Sequence, residues 1–224
     1  MRILPIALLL TVFFAYAQET ETRKLSTFDG IDVAEGIEVI LEKGNPEARV
    51  EVSGAADLED VVTNVSGSTL NIEMRGNRNY RNVNVRVYVK FEEINEVEVS
   101  SAADVTFESE ITGSDLDIDV SSAASVTADI DVNEVSVDIS SSGKIELKGK
   151  ADELRAAISS AGTLRASALL VKEAHVDANS AGSAIVNVTN ILKAEANSAG
   201  KISYDGDPEK VYADSSSGGK VRRN

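Results

Sequence analysis

Apolar and polar residues alternate with a period of two through most of the second half of the chain. Leu116, Ile118 and Val120 interleave with Asp115, Asp117 and Asp119, and Val135, Val137 and Ile139 with Glu134, Ser136 and Asp138. Ala174, Val176 and Ala178 interleave in the same way with Glu173, His175 and Asp177. A period of two with one apolar and one wet face is that of a half-buried strand. Helices fit poorly, because Ser, Asp, Gly and β-branched residues crowd these segments.

Each alternating run ends in a tetrapeptide of small residues. It reads Ser100-Ser101-Ala102-Ala103, Ser121-Ser122-Ala123-Ala124, Ser140-Ser141-Ser142-Gly143 and Ser159-Ser160-Ala161-Gly162. It continues as Asn179-Ser180-Ala181-Gly182, Asn197-Ser198-Ala199-Gly200 and, altered, Asp214-Ser215-Ser216-Ser217. The first positions of these seven copies lie 21, 19, 19, 20, 18 and 17 residues apart. After each corner a second short strand follows: Val105 and Phe107, Val126 and Ala128, Ile145 and Leu147, Leu164 and Ala166.

A unit of about 19 residues cannot bury its own apolar face, but stacked units can, each coil about 4.8 Å above the last. At a corner, identical positions stack on themselves, so side chains must be tiny or able to hydrogen-bond along the stack. Ser and Asn do the second, Ala and Gly the first, and Gly also permits a left-handed turn. The prediction is an all-β chain folded as a right-handed parallel β-helix (a β-solenoid) of about seven coils over residues 96–224. Residues 18–95 are strand-rich but irregular: Ile37, Val39 and Leu41 recur at every second position, with the charged Glu38 and Glu42 among them, before a Gly44-Asn45-Pro46 turn, and Val50 and Val52 resume. Val52-Ser53-Gly54-Ala55-Ala56-Asp57 reads as an early, isolated corner. Leu70, Ile72 and Met74 lead through Gly76-Asn77 to Val83, Val85, Val87 and Val89. This lobe reads as a cap, since a bare solenoid end is an open sheet edge that polymerises.

Residues 1–17 stand apart. Met1 and Arg2 precede an apolar run from Ile3 to Phe14, and Ala15-Tyr16-Ala17 supplies the small-x-small pattern of a signal peptidase site. The run is too short for an ordinary membrane span, and no later stretch is apolar enough to be one. The mature chain is therefore expected to be exported and to lie in the periplasm, on the outer surface or outside the cell.

Composition narrows the chemistry. The chain has 22 Lys and Arg against 37 Asp and Glu, a net charge of −15. Such a surface repels phosphate backbones, which argues against nucleic acid. With no Cys and a single His, His175, there are no thiolate metal sites, thiol nucleophiles or multi-His sites to consider, and no cofactor is called for.

The order of motifs resembles a known group. Phe28-Asp29-Gly30-Ile31, then Val33, Gly36 and the strand from Val39 to Gly44, are followed by Ser68-Thr69-Leu70-Asn71-Ile72. Strands Val85 to Val89 and Ile94 to Val99 then enter the small-residue corners. Over about Thr27 to Val221 this is similar to the DUF2807 family, the auto-transporter adhesin head or GIN domain. The resemblance implies a right-handed parallel β-helix, export, frequent occurrence in Bacteroidetes-type bacteria and a role in adhesion. It carries no catalytic motif, so no catalytic residue transfers.

Two surface clusters are candidates for binding. Stacked in register, the position two before each corner reads Glu98, Asp119, Asp138, Ala157, Asp177, Glu195 and Tyr212. The position four before reads Glu96, Asp117, Ser136, Arg155, His175, Lys193 and Lys210. Like charges at coil spacing repel by roughly 1 kcal/mol in water. Glu96, Glu98, Asp117, Asp119 and Asp138 thus read either as a shallow site for Ca²⁺ or a cationic ligand, or as a solvated acidic face that keeps the rod from aggregating. Arg75, Arg78, Tyr80, Arg81 and Arg86 form the one basic cluster, around an expected hairpin tip at Gly76-Asn77. They read either as charges simply solvated at that tip, or as a cationic contact for an anionic glycan or for the acidic face of another subunit. His175 is read as a surface residue between Arg155 and Lys193.

The reading that follows is an exported, non-enzymatic β-helix protein binding glycans or proteins at the cell envelope, with homo-oligomers allowed by its flat faces. Its rivals are an envelope structural or assembly protein and a polysaccharide-active enzyme of the β-helix kind.

Overall fold

The computed structural model describes residues 19–76, 80 and 82–224. The expected signal segment 1–17, and Arg78 and Arg81 of the basic cluster, lie outside the described residues. The N-terminal lobe contains β1 (Glu19–Lys24), β2 (Gly30–Val33), β3 (Glu38–Lys43) and β4 (Glu47–Ser53). After a 3-10 turn at Leu58–Asp60 come β5 (Val61–Ser66), β6 (Thr69–Met74) and β7 (Asn84–Phe91). The coils follow in β8 (Glu96–Val99), β9 (Asp104–Phe107), β10 (Ile111–Val120), β11 (Ser125–Ile139) and β12 (Lys144–Ile158). They end in β13 (Thr163–Ala178), β14 (Ser183–Ala196), β15 (Lys201–Gly206), β16 (Lys210–Ser215) and β17 (Lys220–Arg223).

The fold is a parallel β-solenoid of about seven turns. On one face the ladder runs β5, β6, β2, β8, β10 and then through β11 to β14 and β16. On the adjoining face it runs β1, β4, β7, β3, β9 and again through β11 to β14, then β15 and β17. The period-two residues point as their pattern requires: Leu116, Ile118, Val120, Val135, Val137 and Ile139 are all buried, while Asp115, Asp117 and Asp119 are exposed. Phe91 and Phe107 fill the wide N-terminal part of the core edge to face, with ring centroids 5.8 Å apart.

Four details differ from the sequence reading. The parallel stack starts in the N-terminal lobe, where β2 and β3 lie directly beneath β8 and β9 and turn at Ala34-Glu35-Gly36. Gly36 N–H donates to the Ser101 carbonyl at 2.9 Å, so this is the true early corner. Its signal was weak because Glu35 replaces a small residue. The segment at 52–57 instead ends the antiparallel strand β4 and enters the 3-10 turn; Gly54 (φ 102°) is there because a Cβ would lie 1.9 Å from the Asn82 carbonyl oxygen.

Second, β6 and β7 do not form a hairpin. Each joins a different face, β6 beside β2 and β7 beside β3. Third, the last corner is Ser216-Ser217-Gly218-Gly219: Ala196 pairs with Ser215, and Gly219 N–H donates to the Ser216 carbonyl at 2.8 Å. The outward rows therefore end at Asp214 after Glu195 and at Tyr212 after Lys193, each two residues beyond the expected Tyr212 and Lys210.

The fourth concerns the corner glycines. The left-handed conformation falls on the second and third corner residues, such as Ser180 (φ 47°) and Ala181 (φ 64°), not on the fourth. With an N–H of the fourth residue donating to the carbonyl of the first (2.8 Å for Gly182 to Asn179), each corner is a type I′ turn. Left-handed Ser and Ala cost about 1 kcal/mol each. The offset is a ladder through the corners: Ala181 N–H donates to the Ser198 carbonyl at 3.0 Å, and Ala199 N–H to that of Ser217 at 3.1 Å. In the corners from Gly143 onward the fourth position is Gly because the coil beneath is too close: a Cβ on Gly200 would lie 2.0 Å from the Ala178 carbonyl oxygen.

Candidate functional site

Strand alternation projects one side chain in two outward, and parallel register stacks them. Asp32, Glu98, Asp119 and Asp138 occupy one outward row on four successive coils, and Glu96 and Asp117 lie beside them in the next. The structure thus brings all five predicted acidic residues together and adds Asp32, which the sequence reading missed because its coil was taken as irregular cap. The five predicted residues, with Ser136 but without Asp32, line an open depression of about 260 Å³. Among the described residues, no Lys or Arg nitrogen lies within 4.0 Å of any of the five predicted carboxylates.

The electrostatics follow. The Glu98 carboxyl is pushed above the ordinary Glu range, first by partial burial against the sheet, then by Asp32, Glu96 and Asp119. Asp119 is raised by partial burial and then by Asp138. Farther along the rod the same face becomes mixed: Arg155 lies 3.3 Å from Glu134 and 2.9 Å from Glu153, and its own pKa is raised by Glu153 and Glu134. His175 is exposed between Arg155 and Lys193, where the repeat placed it. Among the described residues, no three His, Cys, Asp or Glu side chains converge in a metal-binding arrangement. The acidic rows are parallel lines of outward carboxylates, suited to an extended positive surface or to several loosely held cations, not to one caged ion.

Of the basic cluster, Arg75, Tyr80 and Arg86 are described. The Tyr80 hydroxyl donates to the Arg75 carbonyl at 3.0 Å. Glu35, from the first corner, accepts the Met74 N–H at 2.7 Å and ties the end of β6 to that corner. Tyr80, Glu35, Met74 and Val83 border a depression of about 360 Å³. Arg86 lies apart, paired with Glu38 at 2.7 Å on the β3–β7 face.

One surface escaped the sequence reading. An open groove of about 480 Å³ runs along the side where the coils turn back, with Leu170, half exposed, on its floor. Ion pairs Lys150–Asp131 (2.9 Å) and Lys172–Asp152 (2.6 Å) and the side chains of Asn133, Thr189 and Asn190 border it. Its signal was the coil spacing of 20 between Ser159 and Asn179, which marks the register shift that turns Leu170 outward beside Lys150.

A family model described as "Putative auto-transporter adhesin, head GIN domain" (DUF2807) matches residues 27–208. The chain belongs to this DUF2807 family. A protein from Bacteroides fragilis described as a "putative adhesin" shares 18% identity and superposes with a TM-score of 0.80, covering 94% of this chain and 98% of that one. A "putative adhesin" from Parabacteroides distasonis gives 21% and 0.72, covering 93% and 98%. A "putative lipid binding protein" from the same species gives 21% and 0.64, covering 92% and 96%. At these identities the likeness shows the solenoid fold and no ligand. A comparison with curated proteins returned no match.

Proposed function

We propose that the chain is an exported, non-enzymatic, adhesin-like protein that binds a glycan or a protein at the bacterial cell envelope. The observation carrying this reading is the row Asp32, Glu98, Asp119, Asp138, four like charges in register with none neutralised by an ion pair among the described residues. A charge row repeated at coil spacing suits an extended ligand that meets the same contact on successive coils. Individually weak contacts then add along the rod. The partner is either positively charged or joined through Ca²⁺ bound between its own anionic groups and the carboxylates. Membership of an adhesin-named family supports the same reading.

The location is tested by labelling intact cells with a membrane-impermeant reagent. Labelling of the chain on intact cells supports adhesion, whereas labelling only after the outer membrane is opened would make it a periplasmic component and defeat the adhesion reading. The rival enzyme reading predicts new chain ends from a bound polysaccharide that vanish on a single carboxylate substitution; the proposal predicts none.

A further inference from the structure

The two ends of the solenoid are finished differently. At the N-terminal end the Arg23 guanidinium donates to the carbonyls of Leu58 and Val61 at 2.7 and 2.6 Å and to Thr63 Oγ1 at 3.1 Å, covering the edge of β5. The neighbouring edge strand β1 carries Glu19, Glu21, Arg23 and Lys24, the charged composition that discourages further pairing. At the C-terminal end, β16 and β17 stack on β14 and β15, and no described strand stacks on them in turn. Their inward row is apolar yet open. Val211 is 41% exposed and Ala213 is exposed, whereas Leu192 and Ala194, aligned one coil below, are fully buried. The outward Tyr212 is 58% exposed.

We propose that this edge joins two copies of the chain, C-terminal end to C-terminal end, with β16 paired antiparallel to itself about a twofold axis through Tyr212. Side chains directly opposite in an antiparallel pair lie on the same face, so the inward row of one copy must face the inward row of the other. Centred on Tyr212, that condition sets Val211 opposite Ala213 and Lys210 opposite Asp214, each twice. Centring on Val211 instead drives Glu209 into the inward row against Ala213. Centring on Ala213 sets Tyr212 against Asp214 and leaves Lys210 facing Ser216. Only the register on Tyr212 matches both charge and apolarity. Because Arg23 and β1 block the opposite end, the contact is isologous and closes as a pair; it does not grow head to tail into a fibre. The inference is independent of which ligand the side faces bind.

The test is sedimentation of the purified chain over a wide concentration range, beside charge-swap variants. Wild type is expected to dimerise. Asp214→Lys and Lys210→Asp each set like charges opposite at two places and are expected to weaken the dimer by about tenfold or more. Mixed in equal amounts, these two variants regain complementary pairs at both places and are expected to dimerise with each other. Each variant's melting temperature, close to that of wild type, shows that the coils remain folded. Tyr212→Cys, in a chain with no Cys, is expected to oxidise to a covalent dimer, and Asn133→Cys on the side of the rod is not. A wild type that stays monomeric at every concentration overturns the proposal and leaves the edge to a strand of another protein. A dimer indifferent to both swaps, or single variants not rescued by mixing, overturns it equally.

Discussion

Replacing Asp119 with Asn should make the protein more stable, although it removes a charged surface group. Asp119 stands between Glu98 and Asp138 in the acidic row, all three exposed. At a coil spacing of about 4.8 Å and the dielectric of water, each neighbour repels it by about 0.9 kcal/mol. Physiological salt, with a Debye length of about 8 Å, reduces that to roughly half. Two neighbours give a gain of about 1 kcal/mol, which for a chain of this size is about 2–4 °C in melting temperature. The pH dependence has a definite sign. Glu98 and Asp119 titrate above their ordinary range when folded, so the folded chain takes up protons more readily than the unfolded one. Their ionised forms therefore weaken the fold at neutral pH, and stability is recovered as pH falls from the raised values to the ordinary carboxylate range. The assay is thermal melting of wild type and Asp119→Asn at neutral and mildly acidic pH, in low and high salt. The gain should be largest at neutral pH and low salt and should fade under the other conditions. A variant less stable than wild type at neutral pH, or a gain indifferent to salt and pH, would refute the repulsion on which the site rests.

Three further outcomes are expected. Val137→Asp places a carboxylate in the core where the side chain is 1% exposed, and should cost several kcal/mol, while Ser136→Asp on the outward face should cost little; equal melting temperatures would refute the inward and outward assignment. Gly200→Ala should cost more than about 2 kcal/mol by denaturant titration, since its Cβ collides with the Ala178 carbonyl and the ladder beneath must move. Arg23→Ala should loosen the N-terminal edge, leaving the Leu58 and Val61 carbonyls without that donor, and should show as faster amide exchange in β5 with the later coils unchanged.

The solenoid was legible because its physics is periodic. Once Leu116, Ile118 and Val120 alternate and Ser121-Ser122-Ala123-Ala124 recurs, parallel stacking follows, and with it the acidic rows. Departures from the repeat were harder. Val52–Asp57 has a corner's composition but runs from the end of an antiparallel strand into a 3-10 turn, and Ala34-Glu35-Gly36 is a corner without its composition. Composition reports what a corner tolerates, while pairing decides where one is made. At the C-terminal end, Asp214-Ser215-Ser216-Ser217 looked like the final copy because serine is common to both registers; the ladder to Ala196 resolves it two residues later. The Leu170 groove was hidden for a related reason, since a one-residue shift in one coil changes which face a side chain joins without altering the surrounding alternation.

Binding through the acidic row is tested most directly by exposing the purified chain to an array of neutral and acidic bacterial and host glycans and envelope proteins. Wild type and the triple variant Glu98→Gln, Asp119→Asn, Asp138→Asn would be compared side by side, in Ca²⁺ and in chelator, with release of new chain ends read in the same wells. Wild type is expected to bind at least one class without cleaving it, and the triple variant, folded and more stable, to lose that binding. Cleavage of a bound polysaccharide, or binding that the triple variant keeps in full, would contradict the adhesin-like reading.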